Sequence, residues 1–187
     1  MSSGSELIAD AAAPDAAAPL PWQRSIAAAI EAAGTDVAAY VPDARLRGIV
    51  AALADGGVPV RALTREEECV AFAAGYAAAG GRPVVLMQCS GLGNSLNALG
   101  SFAIPYGIGI PLILSMRGTL GETNPSQVPM GRATVPLLQA LAIQSFSVST
   151  EAAAGPVTAG VLALAYETGT QAAVILEPAL GGQRESV

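Results

Sequence analysis

Six short strand-like segments, at residues 37–41, 58–63, 83–88, 110–116, 144–148 and 172–176, alternate with segments whose apolar residues recur at helical spacing. This alternation restricts the fold more than any other feature of the chain. Runs such as PVVLMQ at 83–88 and IPLILSM at 110–116 have unbroken apolar centres, which suits strands covered on both faces. The expected helices lie at 22–33, 44–54, from Thr64 past Tyr76, and at 95–102, 132–142 and 151–168. Strands and helices in this order predict an α/β fold, a three-layer α/β/α sandwich around a mostly parallel six-stranded sheet. Ligands of such sheets sit beyond the carboxyl ends of the strands. The segments 64–68, 89–94 and 117–131 each follow a strand, so they are expected to converge on one edge.

A chain of 187 residues is long enough for one domain with a proper core, expected here at 21–180. Residues 1–20, rich in Ala and Pro, read as a mobile tail without the basic start and compact apolar run of a signal peptide, and 181–187 as a short C-terminal tail. The run at 152–166 is interrupted by Gly155, Pro156, Thr158 and Gly160 and falls short of a membrane span. Hydrophobic residues make up 52% of the chain but aromatics only 4%, so the core is expected to pack by close approach of backbones. A net charge of −6 argues against a nucleic-acid surface, which needs cations to neutralise phosphates. With no histidine and two cysteines the chain is a poor zinc ligand, and no metal is expected on it. Cys69 and Cys89 lie within apolar segments, which favours buried reduced thiols and a cytoplasmic setting.

Four groups of residues can carry chemistry. The first is Glu66-Glu67-Glu68. Thr64 and Glu67 stand at capping-box spacing, whereas a 3.6-residue period puts Glu66 on a face with Cys69, Val70 and Ala73. A carboxylate on a packed face needs a partner. The competing reading is that three glutamates at a helix start complement its dipole, an effect of about 0.3–1 kcal/mol. The second group is Gln88 and Cys89 followed by Ser90, Gly91, Gly93 and Asn94, where a glycine turn allows close approach to a ligand or simply joins a strand to a helix. It is not the dinucleotide fingerprint, because Asn97 occupies the third glycine position. The third is the loop 117–131 with its bordering Arg117 and Arg132. Each arginine either pairs with a carboxylate or grips an anionic substrate group bidentately. The fourth is Pro42-Asp43, where proline ends a strand and aspartate suits a helix cap.

Glu66 precedes Gly75-Tyr76 by nine and ten residues, and QCSGLGNSLNAL follows a strand. Together with VPDARL at 41–46 and RGTLGETNPSQVPMGR at 117–132, this pattern resembles the pyrimidine-binding (PYR) domain of thiamine-diphosphate-dependent enzymes. Within that family it is most similar to the alpha subunits of the split sulfopyruvate and phosphonopyruvate decarboxylases, over residues 37–178. The resemblance implies that Glu66 hydrogen-bonds the cofactor's aminopyrimidine and activates it for ylid formation. It also implies that Gln88, Ser90, Gly91, Gly93 and Asn94 line the cofactor, and that Pro42, Asp43, Arg117 and Arg132 face a 2-oxo acid carrying a sulfonate or phosphonate. Related decarboxylases carry a catalytic histidine near positions 88–90, and this chain has none. The GDG motif that holds Mg2+ and the diphosphate is also missing, the nearest string being ADGG at 54–57. The resemblance therefore implies a beta subunit supplying the diphosphate and Mg2+ half, in a hetero-oligomer of at least two alpha and two beta chains. An acyloin-type carboligase subunit and a non-catalytic assembly or regulatory subunit are the alternatives. Glu66 speaks against the second of these, since such a chain has no chemical need for it.

Overall fold

The computed structural model describes residues 18–180. Residues 1–17 and 181–187 of the two expected tails lie outside the described residues. Six strands, β1 (Val37–Tyr40), β2 (Val60–Ala62), β3 (Pro83–Gln88), β4 (Pro111–Ser115), β5 (Gln144–Val148) and β6 (Ala172–Leu176), form one sheet in the order β2-β1-β3-β4-β6-β5. Every neighbouring pair is parallel. Six α-helices alternate with them: α1 (Pro21–Ala32), α2 (Arg47–Asp55), α3 (Glu66–Ala78), α4 (Leu92–Ala98), α5 (Val128–Ala140) and α6 (Glu151–Thr168).

The period of two along each strand feeds two separate cores. Ala38, Val84, Leu86, Ile113, Val174 and Leu176 meet Trp22, Ile26 and Ile30 of α1, Ile49 and Leu53 of α2, and Val161 and Leu162 of α6. Ala39, Val85, Met87, Leu112, Leu114 and Ile175 meet Cys69, Val70 and Ala73 of α3, Leu92 of α4 and Leu138 of α5. Small residues set the spacing of helices within a layer. A Cβ on Gly155 of α6 would lie 2.5 Å from Ser25 Oγ of α1, so these two helices touch where no side chain fits.

Helices change face whenever the chain reverses direction across the sheet, as crossovers of a single hand require. At β1 and β3, which are neighbours, the outgoing chain therefore turns to opposite faces, towards α2 and towards α4. A crevice at such a switch point is where open α/β sheets bind ligands.

Four elements differ most from those expected. α2 begins at Arg47, after a turn at 44–46 that Asp43 caps. β2 is only three residues long. The segment after β3 is one 3₁₀ turn, Cys89–Gly91, running directly into α4 and then into a π-turn, Leu99–Ala103. α5 begins at Val128, because Pro129 falls in the first turn, where its missing N–H costs nothing. Arg132 therefore lies within a helix and not at the end of a loop.

Candidate active site

Asp43 joins the ends of three strands. Its Oδ1 accepts from the N–H groups of Arg45 (2.9 Å) and Leu46 (3.2 Å) and from Ser115 Oγ at the end of β4 (3.1 Å). Its Oδ2 accepts from Gln88 Nε2 at the end of β3 (3.2 Å). With its amide nitrogen turned to Asp43, Gln88 presents Oε1 to the Ser90 hydroxyl, which donates to it at 2.7 Å. Ser90 has thus committed its proton within the chain and offers only lone pairs, making it an acceptor for a ligand N–H or O–H.

Glu66 opens α3, and the three glutamates separate by function. Arg65 is the N-cap, with extended backbone (φ −137, ψ 149), so the third helical residue is Glu68 and not Glu67. Glu68 Oε2 accepts from the Arg65 and Thr64 N–H groups and from the Thr64 hydroxyl (2.6 Å). That hydroxyl bond is the main cause holding the Glu68 carboxyl below its ordinary range. The expected capping by Glu67 is thereby corrected, as Glu67 pairs with Arg65 Nε instead. Glu66 is left over. Its Oε2 accepts from Asn94 Nδ2 at 3.1 Å, and its Oε1 takes no hydrogen bond among the described residues.

Gly91 explains why Glu66 can lie there. The backbone at Gly91 is ordinary right-handed helix (φ −69, ψ −19), so no turn requires glycine. A Cβ at 91 would overlap Glu66 Cγ and stand 2.5 Å from its Cδ and Oε1. The expected glycine turn is therefore a helix start whose glycine makes room for a carboxylate. Gly93 differs. A Cβ there would meet Met130 Cε of α5 at 3.0 Å, so this glycine serves helix packing.

The loop after β4 closes on itself. Arg117 binds Glu122 through Nε–Oε2 and Nη2–Oε1, each 2.8 Å, and Glu122 also accepts from the N–H groups of Gly118 (3.1 Å) and Asn124 (3.0 Å). The Glu122 side chain is only 8% exposed. Arg117 thus makes an ion pair with a carboxylate, one of the two functions open to it from the sequence. Arg132 is exposed and joins none of the ion pairs found among the described residues. It borders a hollow of about 460 Å³ with Gly118, Thr119, Leu120, Val128 and Gly131. Pro42 is exposed beside Asp43 at the same edge.

The Arg117 guanidinium holds the Glu122 carboxyl well below the usual carboxylate range, and Glu122 in turn raises Arg117. A depressed folded value means the tie is complete above the unfolded pKa, about 4.3 for glutamate, and is lost only as pH falls through the lowered value. Cleavage at the loop tip, where Leu120 is fully exposed, is accordingly expected to hold steady from about pH 8 to about pH 5 in limited proteolysis. Glu122→Gln should speed cleavage about tenfold at neutral pH by opening the loop locally. A variant as resistant as the parent would remove the ion pair as the loop's anchor.

Both cysteines are buried and unpaired. Burial pushes the Cys69 thiol up to about 12 and raises that of Cys89, whose sulfur accepts from Arg117 N–H at 3.3 Å. Neither is a nucleophile in this setting. Among the described residues no three His, Cys, Asp or Glu side chains gather where a metal could sit, and no helix is long and apolar enough to cross a membrane.

An all-parallel six-stranded sheet with helices on both faces and a half-buried glutamate at its carboxyl edge defines a three-layer α/β domain. The chain belongs to the thiamine pyrophosphate enzymes: residues 22–117 match the profile of their N-terminal TPP binding domain. Sulfopyruvate decarboxylase subunit alpha of Methanothermobacter thermautotrophicus is 45% identical over 120 residues, covering 64% of this chain and 73% of that one. The protein of the same name from Methanococcus maripaludis is 41% identical over 126 residues, covering 65% and 74%. In structure the chain is similar to a 2-oxoglutarate:ferredoxin oxidoreductase of Magnetococcus marinus with 2-oxoglutarate, coenzyme A and succinyl-CoA bound. The TM-score is 0.65 at 14% identity, over 83% of this chain and 28% of that one, a likeness of fold.

Sequence reasoning missed Ser115 and Arg45. Ser115 had a signal, since it is the polar end of an otherwise apolar strand and is fully buried. Arg45 had none.

Proposed function

We propose that this chain is the alpha (PYR) subunit of a split thiamine-diphosphate-dependent decarboxylase acting on a 2-oxo acid such as 3-sulfopyruvate or phosphonopyruvate. The observation that carries the reading is the Glu66 carboxylate, held by Asn94 over Gly91 with Oε1 unclaimed. The site fits the pyrimidine half of the cofactor: Gly91 removes the Cβ that would displace Glu66, and Ser90 offers an acceptor. When bound, thiamine diphosphate supplies the carbon nucleophile and the electron sink for loss of carbon dioxide from a 2-oxo acid.

The chain's own residues do the rest. Glu66 would share a proton with the pyrimidine ring nitrogen through Oε1, while Asn94 keeps Oε2 occupied. Gln88 fixes the direction of the Ser90 lone pairs. Pro42 and Asp43 border the substrate. Arg132 receives its sulfonate or phosphonate, because Arg117 is spent on Glu122. A beta subunit carrying GDG holds Mg2+ and the diphosphate, in a cytoplasmic hetero-oligomer of at least two alpha and two beta chains.

The test is co-expression with the GDG-bearing partner. The chain alone should release no carbon dioxide from sulfopyruvate or phosphonopyruvate, and the complex should. Robust activity of the chain alone overturns the split-subunit reading. In the complex, Arg132→Ala should raise KM for the sulfonated substrate about tenfold or more, the scale of a lost charge-assisted contact, and leave KM for pyruvate nearly unchanged. An equal change for both substrates removes Arg132 from recognition.

A further inference from the structure

Asp43 owes its place to the residue two positions on. Its Oδ1 is held by the N–H of Arg45, so the carboxylate sits wherever that peptide sits. The Arg45 side chain reaches away from the site to the chain leaving β6. There Nη2 donates to the carbonyls of Glu177 (2.7 Å) and Leu180 (3.4 Å), and Nη1 to that of Pro178 (3.2 Å). The guanidinium also stands 5.8 Å from the centre of the Trp22 ring, and the Arg45 carbonyl accepts from Gln23 Nε2 at 3.0 Å. One residue is therefore gripped by α1, by the segment after β6 and by Asp43. A planar fork of permanently charged donors matches three carbonyls on one turn, which a single ammonium does not.

We infer that Arg45 is a positioning residue of the site: its hold on the carbonyls of Glu177, Pro178 and Leu180 fixes the turn that aims Asp43 between β3 and β4. The inference rests on the proposal that Asp43 borders the substrate. Without Arg45 the turn at 44–46 loses its tie to β6, and the Asp43 contacts to Gln88 and Ser115 lose their fixed origin. The effect on turnover then runs through Asp43 alone.

A double-mutant cycle in the co-expressed complex tests this. Arg45→Ala should lower kcat about tenfold, as expected for one lost charged hydrogen-bonded tie, with KM changed less than about twofold. Arg45→Lys should recover part of the loss. Arg45→Ala added to Asp43→Asn should slow the enzyme no further. A second measurement needs no activity. In the full chain, hydrogen exchange at the amides of Arg45 and Leu46 should quicken about tenfold in Arg45→Ala while the amides of β3 and β4 keep their protection. Losses that multiply in the cycle, an unaffected kcat in Arg45→Ala, or general loss of protection would overturn the positioning role. If Asp43→Asn itself leaves kcat unchanged, the placement of Asp43 at the substrate fails and takes this inference with it, whereas the exchange at Arg45 still reports the tie.

Discussion

Glu66→Gln is expected to lower exchange of the cofactor's thiazolium C2 proton by about 10²- to 10⁴-fold in the assembled complex, with the fold intact. The substitution keeps shape and removes the acid. A glutamine oxygen can still accept from Asn94 Nδ2, so the side chain keeps its anchor over Gly91. What changes is the other arm, where an amide nitrogen replaces Oε1 and can no longer exchange a proton with the ring. The neighbouring glutamates are internal controls. Glu68→Gln weakens the start of α3, because Glu68 accepts three bonds there, and should lower the melting temperature without slowing exchange. Glu67→Gln touches only the pair with Arg65. Proton exchange by NMR, with cofactor binding measured separately, decides the matter. Undiminished exchange in Glu66→Gln would falsify its role.

The fold was largely legible, and the misses share a cause. β5, α6 and β6 are found at 144–148, 151–168 and 172–176, the bounds expected for them. Gly169 has a left-handed backbone (φ 69), the local requirement that makes glycine a dependable stop signal. Gly131 is the opposite case. It reads as loop but lies inside α5, where a Cβ would overlap Arg117 O. The reason for that glycine is a contact across the fold, and no local pattern records it. Gly91 stands at the expected strand-to-helix turn, but its own backbone does not demand glycine; what excludes its Cβ is Glu66 on another helix.

The site follows the same division. Arg117 and Glu122 are five residues apart, so their pairing was among the readings open from sequence. The contacts of Asp43 with Gln88 and Ser115 were not, because they exist only when β1, β3 and β4 lie side by side in that order. Spacing alone left the three glutamates at the start of α3 ambiguous. The resemblance chose Glu66, and the structure accounts for the other two by giving Glu68 the cap and Glu67 the pair with Arg65.

Gly91→Ala should be as stable as the parent and yet lose about as much proton exchange as Glu66→Gln. Alanine is compatible with the right-handed backbone at 91 (φ −69, ψ −19). The three atoms nearest the new methyl all belong to one side chain, that of Glu66, which is only half-buried and can swing towards solvent at little cost. That movement breaks the Asn94 contact and takes Oε1 out of reach, and misplacement by about 1 Å is enough to cost about 10²-fold in rate. Gly93→Ala is the matched control. Its methyl would press on the end of a flexible Met130, so exchange should stay near the parent value. Thermal melting together with C2 proton exchange separates the outcomes. A stable Gly91→Ala chain that still exchanges at the parent rate would mean that Glu66 does not act from the position it holds over Gly91.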